Sequence, residues 1–293
     1  MQHIYDAGIQ RRSRAGVPRT IAHGQAAEHQ HLLQELVNGQ TLATHIDNGE
    51  QLPTLRIMRD LLDTVTDMEH QESMPDRAIL GSPGSRSDFS PYGGIVYLDL
   101  KPANIIYDIA TGDTYIVDGG TARGSLERDD KPGTAIGTAM WMAPEQCVGR
   151  KEFLQTNQYQ LALIWLELRT NGGYSKMRAL MNESGSAYTY MHQTSTNAHW
   201  NGMKQLMMDH DIPEEEQRIM LRALQHHPEQ RWESTGAMLD ALVEYMMSPT
   251  PQLPVTPQQP RIRHIGLIPL EIPDEPTRLL ASIPRSAAQG RAR

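Results

Sequence analysis

The run Tyr159-Gln-Leu-Ala-Leu-Ile-Trp-Leu-Glu-Leu168 constrains this chain more than any other stretch. It is apolar nearly all round, and a helix of that kind is buried on every side. The fold must therefore supply a helical body around it. Two other segments carry helical patterning. Leu55, Met58, Leu61, Leu62, Val65 and Met68 fall on one stripe, with Pro53 near the start as in a first turn. Met238, Ala241, Leu242 and Tyr245 line one face of a last helix. Asp211-Ile-Pro213-Glu214 reads as a helix start, with a capping carboxylate and a proline in the first turn, and the helix it opens runs through Gln225.

Strand signals are fewer. Asp99, Lys101 and Asn104 lie within six residues and are followed by Ile105-Ile106, an apolar pair suited to a strand. The turn signal Thr111-Gly112-Asp113 separates this from a second run, Tyr115-Ile-Val-Asp118. A hairpin there brings an amide at the entry of one strand to the same end as a carboxylate at the exit of the other. Asp with Asn is a hard-oxygen pair suited to Mg²⁺, which binds through few protein ligands plus phosphates. Residues 1–8 read as a short strand ending in a turn, residues 9–28 as a loop without periodicity, and His31–Gly39 as a strand running into a glycine turn. Gln71–Gly93, rich in Ser, Gly, Pro and Asp, reads as an inserted surface loop, tolerable because closure entropy grows slowly with length. Residues 248–293 turn Pro-rich and read as an extended tail without a packed core.

Composition narrows the functional classes. A net charge of −8 disfavours broad nucleic-acid binding. The single cysteine, Cys147, has no internal partner, which suits a reducing cytoplasm. No apolar run approaches the roughly 18 residues of a membrane span, and Met1-Gln-His-Ile-Tyr-Asp6 is not a signal peptide. His29, His31 and the pair His226-His227 lack metal-ligand spacing.

The ordered set Asp99, Lys101, Asn104, Asp118, Gly137-Thr138 and Ala143-Pro144-Glu145 resembles the catalytic core of the eukaryotic-type protein kinase family, particularly its bacterial Ser/Thr members. The resemblance covers roughly residues 1–247. It implies an α+β fold: residual N-lobe strands and a hinge in 1–40, a mostly helical C-lobe with a short catalytic hairpin in 41–247, and a disordered tail in 248–293. It implies transfer of the ATP γ-phosphate to protein Ser/Thr hydroxyls with Mg²⁺. Asp99 would be the base, Lys101 the lysine facing the γ-phosphate, and Thr138 their hydrogen-bonding companion. Asn104 and Asp118 would hold the metal. Glu35 and Val37 would present the hinge groups that hold adenine, with Gln34 at the gatekeeper position. Glu145 would pair with Arg231, and Asn157 stands where the family has an aspartate anchoring the catalytic-loop backbone. Ser125, Thr134 and Thr138 fall in the activation segment and are candidate phosphorylation sites.

Departures from the family pattern form a group. No Gly-x-Gly-x-x-Gly or Val-Ala-x-Lys precedes Asp99, His-Arg-Asp reads Tyr97-Leu98-Asp99, and Asp-Phe-Gly reads Asp118-Gly119-Gly120. Tyr97 is expected to fill part of the space left by Gly119, and Leu98 removes the arginine that reads activation-loop phosphate. These departures imply an N-terminally truncated kinase that works poorly alone and gains from an N-lobe-supplying or regulatory protein partner. The alternative is a pseudokinase-like scaffold module. Lys101, Gly137-Thr138 and Ala143-Pro144-Glu145 argue against small-molecule kinases of the aminoglycoside-phosphotransferase type.

Overall fold

The computed structural model describes residues 16–26, 29–70, 95–119, 122–124, 136–148, 154–182 and 186–248, all within one unit, Met1–Ser248. At its centre is the apolar run, in a helix over Leu154–Arg169 (α4) in which Thr156 through Leu168 are all buried. The polar side chains of α4 are bonded rather than wasted, as buried polar groups must be. Gln158, for example, donates to Trp232 O at 3.1 Å and accepts from Trp232 N–H at 3.2 Å. This pins the turn before the last helix to the central one.

Around α4 pack helices over Thr54–His70 (α2), Gly173–Met181 (α5), Glu214–Ala223 (α8) and Thr235–Met247 (α9). The stripe read from sequence is the buried face of α2. Met58, Leu61, Leu62, Val65 and Met68 are fully buried together with Ile57, and Leu55 packs at the margin. Met238 and Leu242 bury the matching face of α9, flanked by Ala241 and Tyr245. Helix α8 is tied to α4 by the fully buried Glu216, which accepts from Trp165 Nε1 at 2.7 Å and Arg169 Nη2 at 2.5 Å. The start of α8 differs from expectation. Its N-cap is Pro213 with no side-chain capping bond, and it ends at Ala223 rather than Gln225. Asp211 is not the cap, because its backbone is left-handed (φ +50°) and turns the chain two residues before the N-cap.

The remaining helices are Leu42–Asp47 (α1), Pro144–Cys147 (α3), Ala187–Thr194 (α6) and Asn197–Asp209 (α7). Helix α1 escapes sequence patterning because six residues are too few to show a period. Its marker is the cap, Thr41 Oγ1 accepting from Thr44 N–H at 3.1 Å.

Three small antiparallel sheets complete the described residues. Thr20–Ala26 (β1) pairs with His29–Gln34 (β2). The loop expected over residues 9–28 is therefore partly a strand. Ile21 and Ala22 face solvent, β1 pairs with β2 through its backbone, and no hydrophobic alternation marks it in the sequence. Gln40–Thr41 (β3), Ile105–Asp108 (β5) and Asp113–Ile116 (β6) form a sheet in the order β3-β5-β6. Its β5–β6 hairpin turns at Gly112, where φ is +75°. Gly16 bridges to this hairpin, donating to Thr114 O at 3.0 Å and accepting from Ile116 N–H at 2.9 Å. Ile95–Val96 (β4) pairs with Arg123–Gly124 (β7). The expected strand at residues 1–8, the insertion 71–93 and the tail beyond Ser248 lie outside the described residues.

Candidate active site

Strand β4 feeds Tyr97, Leu98 and Asp99 into the core, and all three are buried. Leu98 has a left-handed backbone (φ +62°), as does Asp118 (φ +59°) at the exit of β6. Such conformations cost a non-glycine residue about 1 kcal/mol or more and persist only where surroundings enforce them. The enforcement at Leu98 is visible. Its carbonyl accepts from Gln146 Nε2 at 2.9 Å and Gln160 Nε2 at 3.0 Å, both buried amides. Gln146 also donates to Ile136 O at 3.1 Å, so one side chain joins this loop to the segment carrying Gly137-Thr138. Gly137 (φ +119°) has no room for a side chain, since a Cβ there would meet Leu98 O at 2.5 Å. Tyr97 is fully buried, and its hydroxyl donates to Val117 O at 2.8 Å, which joins β4 to the end of β6 beside Gly119.

Asp99 is the hub. Its Oδ1 accepts from Thr138 N–H at 2.8 Å and Thr138 Oγ1 at 2.7 Å. Its Oδ2 accepts from Lys101 Nζ at 2.8 Å and Asn104 Nδ2 at 3.2 Å. Lys101 Nζ also reaches Thr138 Oγ1 at 2.7 Å. Residues 39 positions apart are thus fixed around one carboxylate. A turn of 3-10 helix over Pro102–Asn104 aims Asn104 back at the loop, where its Nδ2 also donates to Asp99 O at 3.1 Å. Asn104 O accepts from Val117 N–H at 2.9 Å, so Asn104 and the residue preceding Asp118 are tied directly. Asp118 itself is exposed.

Glu145 and Arg231 sit apart from this cluster as a buried bidentate pair, with both N···O distances at 2.8 Å. Thr156 Oγ1 adds a bond to Glu145 at 2.7 Å. Behind the turn Ala139–Trp141 lie Tyr174 and His199, whose ring centroids are 5.9 Å apart. Tyr174 donates its hydroxyl to Met140 O at 3.0 Å. Burial, reinforced by the Arg178 charge, pushes the His199 pKa down to about 3, so the ring is neutral at ordinary pH. Burial pushes the Cys147 thiol up to about 11, which makes it an inert thiol.

Glu35 and Val37 follow β2. Glu35 N–H donates to Arg19 O, and its carboxylate accepts from Arg19 N–H, each at 2.9 Å, which closes the end of the β1–β2 ribbon. The Nε2 of Gln34 is buried without a hydrogen-bond partner among the described residues. Ser125 and Thr134 lie outside the described residues. Sequence reasoning missed Gln146, Gln160 and Glu69, whose side chains bond the loop around Asp99 or the Asn157 that holds it. The available signal was a glutamine at position 160 within a nearly apolar run, since a buried amide implies a bonded one.

Residues 92–243, carrying this loop, the hairpin and the helical body, match the protein kinase domain family, and the chain belongs to it. Similar proteins include the serine/threonine-protein kinase PknB of Mycobacterium leprae, 25% identical over 199 residues that cover 67% of this chain and 30% of that protein. PknB of Mycobacterium tuberculosis is 27% identical over 235 residues, covering 74% and 35%. PknB of Mycolicibacterium smegmatis is 24% identical over 231 residues, covering 74% and 35%. The chain spans about a third of the length of these relatives.

Proposed function

We propose that this chain carries the phosphoryl-transfer centre of a Ser/Thr protein kinase, moving the ATP γ-phosphate to protein hydroxyls. The observation that carries the reading is the convergence of Lys101, Asn104 and Thr138 on Asp99. Phosphoryl transfer asks a protein for positioning and charge stabilisation rather than covalent chemistry, and this cluster offers both. Asp99 orients the substrate hydroxyl and takes its proton as the oxygen attacks phosphorus and ADP departs. All four donor contacts to Asp99 come from neighbours in the resting arrangement. Lys101, partly exposed on a flexible stem, is the contact best able to swing. Its movement to the phosphate leaves Oδ2 with only the longer Asn104 bond, which opens a lone pair for the proton, and neutralises charge on the transferred group.

The donor set fits a divalent ion. Asn104 turns its NH₂ to Asp99, which leaves its amide oxygen for a cation, and Asp118 offers an exposed carboxylate on the residue after Val117. Bound there, Mg²⁺ would offset phosphate charge. The orphaned Gln34 amide beside Glu35 and Val37 fits a hydrogen-bonding nucleotide base. The names of the relatives support Ser/Thr specificity, and a cytoplasmic location goes with it.

The test is nucleotide binding and transfer by the full chain. Mg-ATP should raise the thermal midpoint by mass action, and Asp118→Ala should abolish the rise. Radiolabel from γ-labelled ATP should reach a Ser/Thr-containing protein acceptor, and Asp99→Asn should lower that rate by about 10²–10⁴-fold. No midpoint shift at millimolar nucleotide would sink the proposal.

A further inference from the structure

We infer that Glu69 is a positioning residue for the catalytic loop, acting through Asn157 to supply from α2 the negative charge that a neutral clamp lacks. Asn157 is buried and makes three contacts. Its Oδ1 accepts from Tyr97 N–H at 2.9 Å, and its Nδ2 donates to Ile95 O at 3.0 Å. The same Nδ2 faces Glu69 Oε1 at 3.3 Å. One backbone donor and two acceptors surround this amide, so only one of its two flips satisfies all three. Glu69 strengthens that choice, because a carboxylate beside Nδ2 opposes the flipped state, in which the amide oxygen would face it.

The carboxylate acts on the loop as well as on the amide. Hydrogen bonds in series polarise one another, so an NH₂ drawn toward a carboxylate leaves its oxygen a better acceptor. The oxygen in question holds Tyr97 N–H, two residues before Asp99, with the left-handed Leu98 between them. Asp99 N–H in turn donates to Tyr97 O at 2.8 Å. Glu69, Asn157, Tyr97 and Asp99 are therefore linked residue by residue through hydrogen bonds, and the charge at the far end comes from α2.

A competing role is visible. Glu69 also accepts from Thr235 Oγ1 at 2.5 Å and Thr235 N–H at 3.2 Å, where it braces the first turn of α9. A brace alone would leave the catalytic loop indifferent to Glu69. The two roles separate experimentally because Thr235→Val removes one contact of the brace and leaves the Asn157 contact in place.

The catalytic meaning of this line rests on the kinase reading, but its existence does not. The deciding measurement is amide hydrogen exchange at Tyr97 in the full chain, which requires no activity. Glu69→Gln should speed Tyr97 exchange about tenfold relative to α4 amides, the effect of one weakened buried hydrogen bond. Thr235→Val should leave Tyr97 within about twofold. In an Asn157→Ala background Glu69→Gln should add nothing further, since its route is already cut. Where transfer is measurable, Glu69→Gln should lower kcat with little change in KM for ATP. Unchanged Tyr97 exchange in Glu69→Gln, an equal increment in the Asn157→Ala background, or the full effect from Thr235→Val would each overturn the proposal. Should Glu69→Gln fail to fold, Glu69→Asp, which draws the carboxylate back by one carbon from Asn157 Nδ2, should speed Tyr97 exchange in the wild-type background and add nothing in the Asn157→Ala background, and an unchanged Tyr97 rate would overturn the proposal equally. Absence of transfer in the wild type would count against the kinase reading and leave the exchange result to decide the Glu69 line.

Discussion

Two carboxylates in this molecule each face a cation at 2.8 Å, and they are built for opposite ends. Glu145 meets Arg231, whose side chain is fully buried and whose five N–H donors are all engaged, on Glu145, Gln155 O, Gln225 O and His226 O. The guanidinium also lies over the Tyr159 ring, 5.0 Å from its centroid. Asp99 meets Lys101, a point charge on a flexible stem with partial exposure, two of whose three donors are taken by described residues. A rigid planar fork suits a permanent joint between α3, α4 and the turn before α9. An ammonium that can move suits a site where charge must be followed as it shifts.

That contrast can be broken at its strongest point first. Arg231→Ala should cost about 3–5 kcal/mol of unfolding free energy, because it leaves Glu145 buried and unpaired. Lys101→Ala should cost no more than about 1 kcal/mol while lowering transfer about 10²–10³-fold. Chemical denaturation beside initial rates reads both. Equal destabilisation by the two substitutions would erase the distinction.

A smaller effect tests how the two regions are joined. Gln146 lies next to Glu145 in sequence, yet its amide reaches Leu98 O and Ile136 O. Gln146→Ala should cost about 1–3 kcal/mol and also slow transfer, because it releases the strained loop together with Gly137-Thr138. Loss of stability with an unchanged rate would show that Leu98 is held without it.

The mildest handle is pH. His199 has a folded-state pKa of about 3, against 6.5 for an ordinary imidazole. Between those values the unfolded chain binds the extra proton, so stability falls as pH drops from 6.5 toward 3, by at most about 1.4 kcal/mol per unit. His210, also depressed by burial, adds in the same direction. His199→Gln should flatten the acid limb of a midpoint-against-pH curve. An unchanged limb would mean that other groups carry it. The segment that loosens first should be the turn at Met140, which rests on Tyr174 beside His199.

Local signals of this chain were legible where a pattern repeats or a motif is contiguous. The α2 stripe, the buried α4 run and the β5–β6 hairpin all follow from period and turn chemistry. β1 was hidden because its sequence, Thr20-Ile-Ala-His-Gly-Gln-Ala26, carries no hydrophobic alternation, and its pairing with β2 is made by backbone groups that leave no residue pattern. The cap of α8 was misread because Asp211 and Pro213 carry the right chemistry two residues out of register, an offset set by a left-handed turn.

The candidate site divides the same way. Sequence by itself determined which chemical groups are present: an aspartate, a lysine and an amide within one short loop, and a carboxylate at the end of the next strand. The family resemblance implied Thr138 as a companion of Asp99, but nothing in its spacing does, and it is tertiary structure that brings it, 39 residues downstream, to donate twice to Asp99. Tertiary structure also decided that Glu69 would stand behind Asn157, 88 residues away. The reason is physical. A motif's spacing is written in bonds along the chain, whereas a buried amide or carboxylate takes whatever partner the packing of helices brings within hydrogen-bond reach.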